Sequence, residues 1–534
     1  MADLVADVVI VGFGAAGACA AIEAADAGAE VLVIDRFQGG GASVVSGGVV
    51  YAGGGTAQQL AAGVDDSVDA MYDYLRLETG DVVSEETLRR FCGGSTEMIT
   101  WLEDNGVPFE GSLCPYKTSY PNDDYYLYCS GSESAGGFRE AAKPAARGHR
   151  AKGPGTSGKL LFARLASAVR KRGVRVLRQA NAVALVTDVA GAVVGLQVAT
   201  LRDAPAWVRT AHRLLGRYSA KPGLYVPALR KVLHRRAVSL ERRYAREIEI
   251  TARRGVVLSA GGFITNRELV REHAPEYRGG LALGTSADDG SGIRLGVGAG
   301  GTTAEMHRIT AWRFITPPSA FLGGILVDAA GNRIIDETRY GAAVGEALIQ
   351  RHDGKGWLLI DDAIVREARK TARRQSQWFQ WLQAVYLLGH GRITASSIAE
   401  LAQRAGIDVE GLAATVEAYH SGEPDPMGKP HEFVRGLTTP PYSLVDVSIR
   451  PDLGFPCPML TLGGLVVDES TGRVRGEDGK PIAGLFAAGR SAVGICSRAY
   501  VSGLSLADCV FSGRRAGLNS ALAHGVLDKN ENVF

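Results

Sequence analysis

The sequence predicts an α/β fold, in which a parallel sheet extended by a β-meander is interrupted by an inserted α+β domain. Three observations indicate this class. A strand, a glycine turn, a helix and a second strand follow one another within the first 35 residues. The stretch VRVLRQANAVALVTDVAGAVVGLQVATL, residues 174–201, alternates in the manner of a meander. Between Met306 and Pro441 both patterns disappear, while Trp and His become more frequent and helical stretches begin.

The N-terminal turn has the spacing of a dinucleotide-binding motif. An apolar strand at Val8–Val11 runs into a GxGxxG sequence formed by Gly12, Gly14 and Gly17. Glycine permits the tight turn and a close approach to a pyrophosphate, and the following helix offers free N–H groups at its positive end. The second strand ends at Asp35, 18 residues after Gly17, where an acid accepts hydrogen bonds from a ribose. We therefore expect a Rossmann-like domain that binds a dinucleotide.

The loop after the second strand favours FAD over NAD. It reads GGGASVVSGGVVYAGGG and begins shortly after Arg36. A second loop of glycine and serine suits the pyrophosphate and ring of a flavin, whereas an NAD domain would continue directly into a third strand. A later strand, in ARRGVVLSAGGF, also runs into a glycine turn at Gly261–Gly262, and Asp289-Gly290 opens a helix. Glycine makes up 69 of the 534 residues, in short clusters that suit close contact with a ligand.

Composition argues against several classes of protein. Seven scattered cysteines without a CxxC pair, and ten histidines without an HxxxH pair, predict no metal site and a reduced, cytoplasmic protein. The apolar N-terminus lacks a basic start and contains Glu23 and Asp26, so we do not expect a signal peptide. No apolar run reaches the ~18 residues of a membrane span.

A basic insert, residues 201–247, interrupts the meander. It holds 12 Lys or Arg against 3 Asp or Glu, although the net charge of the whole chain is only +2. Two stretches of helical periodicity flank KPGLYVP, which predicts a helix pair with Leu224, Tyr225 and Val226 at an exposed tip. Arginine-rich amphipathic helices bind anionic lipid, so residues 204–244 are a candidate peripheral contact with the inner face of the membrane. A solvated hairpin or a subunit contact is the alternative, and the acidic remainder of the chain argues against nucleic acid.

The order of these motifs, followed by PIAGLFAAGRSAVG before the last helix, resembles the flavoproteins of the fumarate reductase/succinate dehydrogenase superfamily. The resemblance implies a Rossmann-like FAD-binding domain, with parallel sheet and meander, formed by residues 1–304 and 445–534. It also implies that residues 305–444 form an α+β catalytic cap domain over the flavin.

Several positions depart from the fumarate reductases of this superfamily. FPCPMLTLGGLVVD has no histidine, SRAYVSGLSLAD replaces the Asn-Arg-Leu-Gly-Gly sequence, and GGGASVVSGG has no histidine that could bond to the flavin. We therefore expect non-covalent FAD and a substrate that is not a small dianion. Arg498 could bind a carboxylate, but a surface position explains it equally well. Arg490 replaces the glutamate that commonly binds the ribityl chain in the superfamily.

The segment before the last helix resembles the flavin-dependent 3-ketosteroid dehydrogenases of the Δ4-(5α) type. The sequence YVSGL begins at Tyr500, where the Δ1 type has Tyr-Pro-Gly-Pro-Gly, and Tyr340 follows DETR in the cap. The resemblance implies that Tyr500 binds the C3 ketone of a steroid, Ser502 removes the proton from C4 and Tyr340 relays that proton. It also implies an external electron acceptor, which no motif identifies.

The same resemblance implies a set of residues that bind FAD. They are Gly12, Gly14, Ala16, Gly17, Asp35, Arg36, Gly41, Ala42, Ser43, Ser46, Gly47, Gly48, Ala182, Ala260, Gly261, Asp289, Gly489, Arg490, Ser505 and Leu506.

Alternatives stay open for both the reaction and the residues. A 3-ketosteroid Δ1-dehydrogenase, a fumarate-reductase-like flavoprotein that reduces a bulky enone, or an electron-transfer flavoprotein subunit would share the cofactor. Ser502 could instead be the N-cap of the last helix. Tyr125, Tyr126 and Tyr128 lie in the region from which Δ1-type enzymes take a catalytic tyrosine, but an aromatic strand in the core would explain them equally.

Overall fold

A computed structural model of the protein describes residues 4–420, 425–452 and 454–523, and it confirms the α/β class. The elements up to residue 304 are, in chain order, β1 (Leu4–Val11), α1 (Ala15–Asp26), β2 (Val31–Asp35), α2 (Gly41–Val45), β3 (Val49–Tyr51), α3 (Ala57–Ala61), α4 (Val68–Thr79), α5 (Glu85–Gly93), α6 (Ser95–Asp104), β4 (Leu127–Tyr128), α7 (Gly136–Ala141), β5 (Gly148–Arg150), α8 (Gly158–Lys171), β6 (Arg175–Arg178), β7 (Ala180–Thr187), β8 (Val193–Thr200), α9 (Ala206–Ala220), α10 (Pro227–Tyr244), β9 (Arg246–Leu258), α11 (Arg267–His273), β10 (Leu281–Ala282), α12 (Ser291–Gly298) and β11 (Thr303–Ala304). The middle of the chain contains β12 (Ile309–Ala311), β13 (Ile325–Val327), α13 (Gly341–His352), β14 (Trp357–Ile360), α14 (Asp362–Gln375), α15 (Trp378–Gly389), β15 (Arg392–Ala395), α16 (Ile398–Ala405), α17 (Val409–His420) and β16 (Tyr442–Asp446). The last part contains β17 (Pro458–Thr461), β18 (Gly464–Leu465), β19 (Arg473–Arg475), β20 (Pro481–Ala487) and α18 (Leu504–Leu522).

An eight-stranded sheet is the base of the molecule. Its strands follow the order β19-β20-β9-β1-β2-β6, with β8 and β7 continuing from β9. The central strand β1 is parallel to β2 and β9, and its residues Val8–Val11 are buried, as suits a strand covered on both faces. The meander is confirmed, because β7, β8 and β9 pair antiparallel. Parallel strands end at one edge, so the turns that follow β1, β2 and β9 meet there.

Helices α1 and α18 pack closely through small residues. A Cβ atom on Gly513 would lie 2.5 Å from the carbonyl oxygen of Ala16, and one on Gly517 would lie 2.3 Å from that of Ala20. A larger residue at either position would therefore force the helices apart. This contact brings the N-terminal end of α18 to the same edge of the sheet as the start of α1.

The basic insert is a helical hairpin, α9 and α10, between β8 and β9, and the two predicted helices are confirmed. It is anchored to the main sheet. Arg36, after β2, donates to Glu241 of α10 at 2.8 Å, and His212 of α9 lies 2.9 Å from the same carboxylate. Arg230 donates at 2.9 Å to each of two backbone carbonyls at and just beyond β10. Neither these helices nor any other helix in the described ranges is long and apolar enough to cross a membrane.

A separate apolar core lies in the middle of the chain. It packs against a four-stranded antiparallel sheet in the order β13-β14-β16-β15. The buried residues of this core run from Ile315 to Val447. The exact domain boundaries at 305 and 444 stay a prediction.

Candidate active site

A cavity of about 1120 Å³, which includes space open to solvent, lies at the edge of the sheet where β1, β2 and β9 end. Most of the residues that the sequence predicts to bind a cofactor line it. They are Gly12, Gly14, Ala16, Asp35, Arg36, Gly41, Ala42, Ser43, Ser46, Ala182, Ala260, Gly261, Gly489, Arg490, Ser505 and Leu506. Helices α1 and α18 both begin here with a glycine as the N-cap, Gly14 and Gly503, and the first amide of α1, that of Ala15, donates to Oγ of Ser43 at 3.1 Å. Such helix ends attract anionic groups.

Three of the expected glycines lie outside the wall of this cavity. Gly17 is packed inside the turn, because a Cβ atom there would lie 2.0 Å from the carbonyl oxygen of Gly12. Gly47 and Gly48 line a second cavity, described below. A Cβ atom on Gly48 would also lie 2.6 Å from the amide nitrogen of Gly158. Gly17 therefore shapes the turn from behind, and the other two line the second cavity only.

Asp35 organises the loops around the cavity. Its carboxylate accepts hydrogen bonds from the backbone amides of Phe13 at 3.0 Å, Phe37 at 2.8 Å and Gly39 at 3.0 Å. A carboxylate has about four acceptor positions, so one is left for a ligand hydroxyl. The acid thus combines a structural role with the predicted position beside a ribose.

Two consecutive acids before α12 have separate partners. Asp289, the residue expected at the cofactor, lies outside the cavity wall and accepts a hydrogen bond from Arg36 at 3.0 Å. Asp288 lines the cavity instead and pairs with Arg490 at 2.5 Å. Burial opposes the charge of Arg490, but the Asp288 carboxylate raises the pKa of the guanidinium. The pair keeps a cation in the wall at the position where the superfamily commonly has glutamate.

The residues around this cavity fit FAD. Two buried donors in its wall, Nη1 of Arg490 and Nε1 of Trp312, have no hydrogen-bond partner among the described residues. Unpaired buried donors are costly, so acceptors on a bound ligand would stabilise both. The glycine turn, Asp35 and the two helix N-termini supply the remaining contacts that a dinucleotide requires.

A second, larger cavity adjoins the first and reaches the cap. Its volume is about 2750 Å³, which includes space open to solvent. The residues that line both cavities are Ser46, Leu283, Trp312, Tyr500 and Leu506. Aromatic and aliphatic side chains form most of its wall, and Lys221 is the only charged residue among the described residues that line it. The cavity suits a large apolar ligand and lacks the cation cluster that a dicarboxylate would need.

The three residues with an expected catalytic role lie together where the cavities meet. Tyr340, Tyr500 and Ser502 line the second cavity, and the ring centroids of the two tyrosines are 6.2 Å apart. Trp312 stacks on Tyr500 at 4.8 Å, and Phe314 packs edge-on against Tyr340 at 5.5 Å. These aromatic contacts fix the direction of both phenols.

Tyr128, which the sequence alone leaves undecided, belongs to the same cluster. Its hydroxyl lies 3.0 Å from Oγ of Ser502, and either atom can donate. Ser130 holds the serine backbone from both sides, since its hydroxyl donates to the Ser502 carbonyl at 2.9 Å and its carbonyl accepts the Ser502 amide at 3.2 Å. Tyr125, Tyr126 and Tyr128 line neither cavity, so Tyr128 reaches the site through its bond to Ser502.

The phenols of this cluster are neutral donors at ordinary pH. Burial is the largest cause that raises the pKa of Tyr128, Tyr340 and Tyr500. Neighbouring phenols raise the pKa of Tyr128 and Tyr340 further, whereas hydrogen bonding with Ser502 acts against the increase in both. The Ser502 hydroxyl therefore interacts with a protonated phenol, that of Tyr128.

The capping explanation of Ser502 is wrong. The N-cap of α18 is Gly503, with φ of 92°, and no side chain bonds to the first amides of the helix. A Cβ atom at this position would lie 2.8 Å from the amide nitrogen of Tyr51, so glycine is required on both counts. The Ser502 hydroxyl is thus left to interact with the phenols.

The tip of the basic hairpin differs from its predicted position. Leu224 is only 3% exposed, whereas Tyr225 and Val226 are exposed as expected. Lys221, Pro222, Leu224 and Tyr225 line the second cavity, because the bonds of Arg36 and Arg230 described above hold the hairpin against the sheet. The hairpin therefore forms part of the cavity wall.

Some residues of the site carry little or no signal in the sequence. Trp312 and Leu283 line both cavities but lie in no motif. Asp288 could have been found as the first acid of the DDG sequence. Arg498 is a surface residue that pairs with Asp81 at 3.1 Å, outside both cavities.

Comparison with known proteins identifies relatives over nearly the whole chain. Residues 7–503 match the model of the FAD binding domain family. The 3-oxo-5-alpha-steroid 4-dehydrogenase of Comamonas testosteroni is 39% identical over 90% of this chain and 92% of its own. The crystal structure of 3-ketosteroid-delta4-(5alpha)-dehydrogenase from Rhodococcus jostii, in complex with 4-androstene-3,17-dione, is 32% identical, covers 98% of each chain and has a TM-score of 0.80. The 3-oxosteroid 1-dehydrogenase of Mycobacterium tuberculosis is 26% identical over 92% of this chain and 94% of its own.

Proposed function

The chain belongs to the FAD-binding flavoprotein family that includes the 3-oxo-5α-steroid 4-dehydrogenases, and from this premise we propose how its residues carry out the reaction. It is an FAD-dependent oxidoreductase that introduces the C4–C5 double bond into 5α-saturated 3-oxosteroids. Bound FAD supplies the acceptor for the hydride that leaves C5. The proton that leaves C4, and the charge that develops on the C3 oxygen, are left to the side chains of the protein.

FAD would occupy the first cavity without a covalent bond. The turn of Gly12 and Gly14 and the start of α1 would hold its pyrophosphate, and Asp35 would accept from its ribose. Nη1 of Arg490 would find its missing acceptor there. The start of α18, at Ser505 and Leu506, lines the same cavity and would favour negative charge on the ligand.

Tyr500 binds the C3 ketone in this proposal. It lines both cavities, so it can reach a substrate in the second cavity beside a cofactor in the first. Its raised pKa keeps the phenol protonated, and a neutral donor stabilises the developing enolate without placing a full charge in an apolar cavity. Stacking on Trp312 keeps the ring in position before the substrate arrives.

Ser502 takes the proton from C4. A serine hydroxyl is a weak base, so it must lose its own proton as it gains the new one. The Tyr128 hydroxyl, 3.0 Å away, can accept that proton. Tyr340, which lines the second cavity together with Ser502, offers a second route. The phenol that accepts this proton would release its own in turn, and Tyr340, which lines the second cavity, would pass the proton on to water there, so no charge accumulates in the buried cluster.

The observation that carries this proposal is the meeting of an apolar cavity and a cluster of four hydroxyl groups beside the cofactor cavity. In the described part of the chain no carboxylate lines the apolar cavity, and Lys221 is its only cation. A substrate with one ketone and no charge suits such a wall. The Δ1-dehydrogenase alternative has the same requirement for a ketone donor, and the position of the new double bond distinguishes the two.

The test is anaerobic mixing of the oxidised holoenzyme with a 5α-saturated 3-ketosteroid. We expect the flavin absorbance to bleach and the product to be the 4-ene-3-one, identified by NMR. A 1-ene product would favour the Δ1 reaction. Absence of bleaching, together with oxidation of the reduced enzyme by a bulky enone, would favour the reductase alternative.

The basic hairpin suggests a location for the reaction. We propose that residues 204–244 contact the cytoplasmic face of the membrane, where steroids dissolve. The hairpin holds ten Lys or Arg between 206 and 244 and one acid, Glu241, which is bonded to Arg36. Its positive charge is therefore largely uncompensated by its own residues, which suits anionic lipid.

A further inference from the structure

Helix α15 of the cap has apolar side chains on both of its faces. One face packs inward through Ala384, Leu387 and Leu388. The opposite face is exposed to an unusual degree, with Trp378 at 70%, Trp381 at 37%, Leu382 at 50%, Val385 at 51% and Tyr386 at 36%. Five large apolar side chains on one side of a 12-residue helix form a contiguous patch, and such patches mark interaction sites.

This patch lies at the mouth of the second cavity. Trp378, Leu382 and Tyr386 line the cavity together with Tyr225 from the tip of the basic hairpin. Large apolar residues that follow Tyr225 in the hairpin are also exposed, among them Val226 at 42% and Leu229 at 37%. We call the exposed residues of α15 together with Tyr225, Val226 and Leu229 the mouth face.

Basic residues predominate in the sequence next to the mouth face, and the acid that contacts it, Asp452, accepts a hydrogen bond from Tyr386 at 3.5 Å and pairs with Arg450 at 3.6 Å. From Arg369 to Gly389 the sequence contains four Lys or Arg and no acid. Of the acids near the start of α15, Asp123 is bonded to Arg150 and Gln377, and Asp124 to an asparagine. The hairpin contributes the excess of ten basic residues over one acid. A rim of this kind, around exposed Trp and Tyr, is typical of a protein surface that inserts at the interface of an anionic bilayer.

We propose that the mouth face docks on an anionic lipid bilayer and that the second cavity opens through it into the lipid. This rests on the proposed function, since only an apolar substrate would be drawn from the bilayer into the cavity. A second copy of the chain suits the face less well, because a two-fold contact would bring the same basic rim against itself. The hairpin and the cap would thus share one docking surface, and docking would place the substrate at its entrance.

The test uses two double variants of the holoenzyme. Trp381→Ser/Val385→Ser alters exposed residues of the mouth face that do not line the cavity. Leu60→Ser/Leu77→Ser, at positions 69% and 51% exposed on α3 and α4, removes similar apolar surface elsewhere. Sedimentation with vesicles of phosphatidylglycerol and phosphatidylcholine measures partitioning. We expect the first variant to partition about tenfold less than wild type, the control to match wild type, and salt to weaken binding.

Activity assays separate this inference from the proposed function. With a 3-ketosteroid dissolved in buffer, all three proteins should reduce their flavin at the same rate. With the steroid preloaded in the vesicles, the mouth-face variant alone should be slower, by about tenfold. Equal partitioning of all proteins would overturn the docking proposal. So would light scattering that shows a wild-type dimer which the mouth-face variant abolishes. Failure of flavin reduction in buffer would refute the function and leave the sedimentation result intact.

Discussion

Replacement of Tyr128 by Phe tests the proton relay most directly. The change deletes one atom, the hydroxyl oxygen 3.0 Å from Oγ of Ser502, and leaves a ring that is fully buried. Loss of one partner from a buried hydrogen bond costs about 1–3 kcal/mol. If that bond strengthens as the serine gains the C4 proton, flavin reduction should slow by about 5- to 150-fold. Ser502→Ala removes the base itself and should slow it by about 10²–10⁴-fold.

The double variant shows whether the two residues act as a unit. Without Ser502 the phenol has no proton to accept, so Tyr128→Phe/Ser502→Ala should be no slower than Ser502→Ala alone. The assay is anaerobic stopped-flow reduction of the flavin by a 5α-saturated 3-ketosteroid, in H2O and in D2O. We expect the solvent isotope effect of the wild type to change in the Tyr128 variant, because the proton then leaves by a different route.

Tyr126→Phe is the matched control. This neighbouring tyrosine lines neither cavity, and its ring packs under the guanidinium of Arg150 at 4.8 Å. Loss of the Tyr126 hydroxyl should change the rate of flavin reduction by no more than about twofold. A wild-type rate in the Tyr128 variant would refute the relay, and so would a double variant whose two effects multiply.

Three further predictions concern binding and stability. Tyr500→Phe should lower kcat/KM by about 10²–10³-fold without changing the melting temperature, since only the donor to the ketone is lost. If the variant also bound a ligand without a ketone more weakly by the same factor, the role as ketone donor would be contradicted. Gly17→Ala places a Cβ atom 2.0 Å from the Gly12 carbonyl and should abolish FAD retention in thermal-shift assays, while Gly93→Ala, with no atom within 4 Å, should not. Burial opposes the ionisation of Glu241, but its partners lower the pKa from 4.5 to about 2, so the carboxylate stabilises the folded state above pH 4.5. In urea unfolding at neutral pH, the wild type should be up to about 3 kcal/mol more stable than Glu241→Gln. This difference in unfolding free energy should shrink as the pH falls from 4.5 to about 2. A difference that does not change with pH would exclude the ionised carboxylate as its source.

The fold was predictable because its signals are local. The strand at Val8–Val11, the glycine turn and Asp35 lie within one short segment, where spacing alone determines that they share an edge of the sheet. The hairpin α9–α10 was predictable for a similar reason, since helical periodicity needs only its own residues. Its contacts were not, because Arg36 and Glu241 are separated by 205 residues in sequence. The burial of Leu224 follows from such contacts and could not be derived from periodicity.

The site was predictable where residues belong to a motif, and less so where side chains come from distant elements. Tyr500 and Ser502 stand in one motif, and Tyr340 follows another. Tyr128 reaches Ser502 from a strand that is 374 residues away in sequence, and aromatic residues in a strand are equally expected in a core. The sequence left open whether Ser502 caps α18, because Ser and Gly are both common N-caps and only the backbone conformation of Gly503 separates them.

The use of hydroxyl groups in place of charged side chains follows from the apolar cavity. A carboxylate base beside it would be desolvated, which raises its pKa and favours its neutral form before any substrate binds. A hydroxyl chain avoids this cost, because Ser502 and its phenol partners are neutral both before and after the proton passes. The hydroxyl chain instead requires precise positioning, because a weak base works only while the group that accepts its proton stays in contact with it. Ser130 and Trp312 fix the serine backbone and the Tyr500 ring, so we expect changes at these two residues to lower the rate without changing the order of the steps.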